Sequence, residues 1–119
     1  MNIEILKENG IDYDEGLRRF SGYTEIYEKY LRRLADLDIY KELEEKYTQK
    51  DVKGAFEASH KLKAFIGNLS IPVLFDEISK MTEILRLGTM GGTEESMAFI
   101  TEGISKLATV MQREIEKET

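Results

Sequence analysis

His60 is the only histidine in the chain. It stands in the run SHKLKAFIGNLSI (59–71), with Lys63 three residues on, so on a helix an imidazole and an ammonium fall one turn apart. Imidazole is well populated in its neutral form near neutral pH, and its free nitrogen is then a nucleophile, a base or a metal ligand. An ammonium beside it suits chemistry that brings in negative charge. A metal site is a poor fit: with no second histidine and no cysteine, carboxylates would have to hold the ion with one imidazole. A hydrolase fares no better, because Ser59 and Ser70 lie in no glycine-flanked nucleophile turn.

The elements that must position His60 are helices. Asn2 to Glu8 makes a short one, ended by Gly10. In GIDYDEGLRRF, Asp12 caps a second, with Leu17 and Phe20 inward, and Ser21 to Tyr23 turn the chain. From Tyr23 to about Tyr47, Ile26, Tyr27, Tyr30, Leu31, Leu34, Leu37, Leu43 and Tyr47 recur at helical steps. This spacing predicts one long amphipathic helix, able to bend at Asp36 to Asp38, where helix propensity is low. Asp51 opens the histidine helix, which runs to about Leu69, and Pro72 starts the next, which stops at Gly88. After the GTMGGT loop, Thr93 caps a last helix with Met97, Ile100, Ile104, Leu107, Met111 and Ile115 on one face.

The expected fold is therefore all-α, an antiparallel up-and-down four-helix bundle over residues 23–119, with short N-terminal helices (1–22) closing one end of a single domain. On the histidine helix, Ala55, Ala58, Leu62, Ile66 and Leu69 form the core face, and His60 projects from the opposite side with Phe56, Lys63, Ala64 and Gly67. A glycine inside a helix costs about 1 kcal/mol against alanine, so Gly67 points to a close approach there. Spacing alone still favours the plain alternative, a solvated histidine on a helical adaptor.

Composition narrows the partners. A net charge of -6, with no run of lysine or arginine, argues against nucleic acid. No stretch approaches the roughly 20 apolar residues of a membrane span, and the N-terminus lacks the form of a signal peptide. The absence of cysteine permits a reducing compartment. A monomeric cytoplasmic protein is the expectation.

At S-H-K-L-K-A-F-I-G-N-L-S-I-P-V-L the chain resembles the histidine-containing phosphotransfer (HPt) domain family, whose signature is approximately A-H-x-L-K-G-x-x-x-x-L-G-x-x-x-L. His60, Leu62, Lys63, Leu69 and Leu74 match without a gap. GIDYDEGLRRFSGYTEIYEKYL and DVKGAFEASHKLK resemble the family's opening and its entry to the histidine helix, and the likeness covers about residues 10–88. Four positions depart. Ala64 and Ser70 replace glycines, Phe65 replaces a small residue, and Thr82 stands where many members carry a glutamine or glutamate that orients the imidazole.

The resemblance implies a phosphoryl carrier without kinase activity of its own. His60 would accept the group from a receiver-domain aspartyl phosphate and pass it to another receiver, Lys63 would offset the phosphoryl charge, and Thr82 would orient the imidazole. Phe56, Ala64, Gly67 and Asn68 would meet the partner, a response-regulator receiver or a hybrid sensor histidine kinase. No cofactor is implied; magnesium would belong to the receiver.

Overall fold

The computed structural model describes all 119 residues, as seven α-helices and one 3-10 turn with no strand. The first two helices each start on a side chain suited to capping. α1 (Ile3–Glu8) opens on Asn2, whose Oδ1 accepts the Ile5 N–H at 3.2 Å. α2 (Tyr13–Arg19) opens on Asp12, which accepts from Glu15 N–H at 3.2 Å. α3 (Thr24–Arg32) follows the turn at Ser21 and Gly22, both at positive φ.

The predicted long helix from Tyr23 to Tyr47 is broken. A 3-10 turn occupies Arg33–Ala35, Leu37 is extended, and α4 (Asp38–Thr48) starts afresh. The interruption begins ahead of the aspartates that marked the expected bend. It lets Leu31, Leu34 and Leu37 all reach the core, and Gln112 donates to the freed Ala35 carbonyl at 3.1 Å. Because α3 is short and presents only Tyr27 and Leu31 inward, Ile26 and Tyr30 lie outside, 46% and 37% exposed, not on the core face.

α5 (Val52–Asn68) carries the histidine. Asp51 caps it, accepting from Gly54 N–H at 2.9 Å. It packs between α4 and α6 (Pro72–Arg86), while α6 and the 3-10 turn lie on α7 (Glu94–Glu116). Pro72 sits in the first turn of α6, where its missing N–H costs nothing. Thr93 precedes α7, but its hydroxyl donates to Met90 O at 2.6 Å and meets the Tyr47 hydroxyl at 2.8 Å, making no side-chain cap to the helix backbone.

The C-terminal end of α5 is tied down on several sides. Tyr27, fully buried, donates to Leu69 O at 2.8 Å, and the Asp12 N–H donates to Ser70 O at 2.8 Å. The corner into α6 is a Schellman turn, with Ile71 N–H on Ile66 O and Ser70 N–H on Gly67 O. Its left-handed position, usually glycine, is Ser70 at φ +62. Below these ties, one continuous core runs from Leu6 and Ile11 through Leu62 and Ile78 to Met111.

Candidate functional site

The core face of α5 fixes the direction of His60. Ala55, Ala58, Leu62, Ile66 and Leu69 are all buried at 1% exposure or less, so a residue two places before Leu62 must project outward, and His60 is exposed. No protein side chain hydrogen-bonds its ring. Its neighbour is Phe56 one turn earlier, stacked on it with ring centroids 6.0 Å apart and planes 24° from parallel. Phe56 is itself half-buried and carries the Arg86 guanidinium 5.0 Å from its centroid. Arg86 comes from the last turn of α6 and pairs through Nε with Glu83 at 3.4 Å.

Lys63, one turn beyond His60, is half-buried. It enters no ion pair, whereas the nearby Lys61 reaches Glu42 at 3.9 Å. An i, i+3 neighbour on a helix lies about 5 to 6 Å away between Cβ atoms, so the unpaired ammonium is within reach of charge placed on the imidazole. Ala64 and Asn68 are exposed on the same face. With Arg19 and Phe75 they line a cavity of about 280 Å³ beside the α5–α6 corner.

Two expected roles change. A Cβ on Gly67 would stand 2.9 Å from the Phe75 ring of α6, so the close approach that this glycine serves is made by the protein's own helix. Phe75 occupies that approach from one side, and Gly67, half-buried, lines the same cavity as Ala64 and Asn68. Thr82 is buried and makes no hydrogen bond to the imidazole. Its hydroxyl lies 2.7 Å from Ile78 O and 3.0 Å from the Ser59 hydroxyl, which donates to Phe56 O. Ser59 and Thr82 thus form a small polar contact inside the α5–α6 interface.

Arg86 is the site residue that sequence reasoning missed. The signal was available in the pairing of the two helices: Gly67 meets Phe75 and Ser59 meets Thr82, so the α6 residue level with Phe56 is three or four places past Thr82. Phe65, which stands in place of a small residue, is half-buried at the edge of the core under the Arg33 guanidinium at 4.9 Å.

The largest groove, about 1140 Å³, runs along α7 beside Ile5 and Tyr47 and includes no residue of the histidine face. No group of three or more His, Asp or Glu side chains is arranged to hold a metal ion. No helix is long and apolar enough to cross a membrane. Comparison of the chain with protein-family models, characterised proteins and solved structures returned no match.

Proposed function

We propose that this protein is a histidine phosphotransfer carrier, built on an antiparallel bundle in which α3 with α4, α5, α6 and α7 serve as the four helices. The observation that carries this reading is the pairing of an exposed, unbonded His60 with an unpaired Lys63 one turn along a helix whose opposite face is fully buried. Its motif also resembles that of the HPt family.

In the transfer, a neutral imidazole with its proton on Nδ1 presents the Nε2 lone pair to the phosphorus of a receiver's aspartyl phosphate. The N–P bond forms as the acyl O–P bond breaks, and the electron pair leaves with the receiver's carboxylate. Little covalent chemistry is asked of the protein beyond alignment and charge stabilisation, so a few side chains suffice. Lys63 faces the phosphoryl oxygens. The receiver supplies magnesium from its own acidic pocket, and return of the group to a second receiver reverses the same steps.

Phe56, Ala64 and Asn68 give the receiver a partly apolar surface around the imidazole, with Lys61, Lys63 and Arg86 as cations near it on a chain of net charge -6. The experiment is transfer from a panel of purified receiver domains charged with acetyl phosphate. The carrier should gain acid-labile, base-stable label that His60→Gln does not; an unlabelled wild type, or equal label on the variant, returns the chain to the class of helical adaptors.

A further inference from the structure

Resting on the carrier reading, we infer that Phe56 is a positioning residue for His60, holding the imidazole by ring stacking where no hydrogen bond holds it, and that Arg86 holds Phe56 from the next helix. An exposed histidine side chain ordinarily samples several rotamers about χ1 and a broad range about χ2. In-line attack tolerates only the subset that points Nε2 at the incoming phosphorus. Something must therefore restrict the ring, and none of the chain's hydrogen bonds does so: the aligned candidate, Thr82, is committed to Ile78 and Ser59 in the interior.

The Phe56 ring meets the need from one turn earlier on α5. At 6.0 Å and 24° its geometry falls within the range in which aromatic pairs attract. Stacking leaves both imidazole nitrogens unbonded, so Nε2 stays open to the receiver. Phe56 is in turn confined: it packs against the core on its inner side, and the Arg86 guanidinium lies 5.0 Å from its centroid. Glu83 pairs with Arg86 at 3.4 Å and steadies the guanidinium. A chain of contacts thus runs from α6 to the reacting ring.

Two readings test this. In the free, unphosphorylated protein, the His60 ring protons should be displaced upfield by the Phe56 ring current; Phe56→Leu should abolish the displacement, and Phe56→Tyr should keep it. Ring protons already at the positions of an unstacked histidine overturn the stack. With a receiver that charges the wild type, Phe56→Leu should lower the maximal transfer rate about two- to tenfold, the range of an aromatic pair's free energy expressed as a rate ratio.

Because leucine keeps the apolar contact that Phe56 offers a receiver and removes only the stack, the receiver concentration at half saturation should stay within about twofold; Phe56→Tyr should restore the rate, and Arg86→Gln should fall between them. An unchanged maximal rate, or a loss confined to half saturation, overturns positioning in favour of simple docking. If the ring-current shift is present but no receiver charges the wild type, the carrier reading fails and the positioning role with it, while the stack itself stands.

Discussion

Leu62→Ala set against His60→Ala measures the two faces of α5 directly. Leu62 is fully buried, and truncation removes three carbons; at about 0.8 kcal/mol each, the lost transfer energy is about 2.4 kcal/mol. The cavity left behind raises the cost to about 3 kcal/mol, within the range for core leucines. For a chain of this length that corresponds to a fall in Tm of about 12 °C. His60, two residues away, is exposed. Its truncation loses a stacking contact of about 1 kcal/mol and recovers about half of that in helix propensity, so Tm should move by no more than about 4 °C. Thermal and urea unfolding followed by circular dichroism supply both values. Equal losses in the two variants, or a Leu62→Ala cost below about 1 kcal/mol, would refute the helix phase and with it the outward direction of His60.

Ser70→Gly should stabilise. Ser70 sits at φ +62 with a buried hydroxyl that has no protein partner, and relief of the left-handed penalty outweighs the added freedom of the unfolded chain by about 1 kcal/mol, seen as a rise in Tm of about 4 °C. Lys63→Ala should slow transfer to His60 by about tenfold at unchanged Tm, since the residue makes no ion pair to lose; an unchanged rate in stopped-flow transfer would remove it from the site. Glu114, buried on α7, is held below the ordinary carboxylate range by Lys117 at 2.7 Å and by the Asn2 N–H at 2.7 Å. A lowered folded-state pKa contributes stability that is present above the unfolded value and lost as pH falls through the folded one. Unfolding free energy should therefore drop as pH falls below about 4.5, and Glu114→Gln should flatten that acid limb.

Helix content and the phase of α5 were legible because apolar spacing records which face is buried. The same code placed Asp12 and Asp51 at helix starts and Pro72 at the opening of α6, where local chemistry decides. It failed between Arg32 and Asp38, where the spacing of Leu31, Leu34 and Leu37 fits a continuous helix and a broken chain equally well. Contact with α7 selects the break. Gly67 signalled a close approach correctly, but a wheel drawn for one helix cannot say whether the visitor is Phe75 or another protein. Thr82 was misplaced for a related reason: alignment fixes its distance along the chain, while burial in the α5–α6 interface fixes what its hydroxyl touches. Arg86 is visible only once the two helices are laid side by side.

The most direct test of the carrier reading is the chemical form of the transferred phosphorus. When the protein is mixed with a charged receiver domain, phosphorus NMR should show a phosphohistidine resonance growing as the aspartyl phosphate signal decays, absent in His60→Gln and discharged by adding a second, uncharged receiver. Decay of the aspartyl phosphate to inorganic phosphate at the receiver's own rate, with no phosphohistidine signal from any receiver tested, would contradict it.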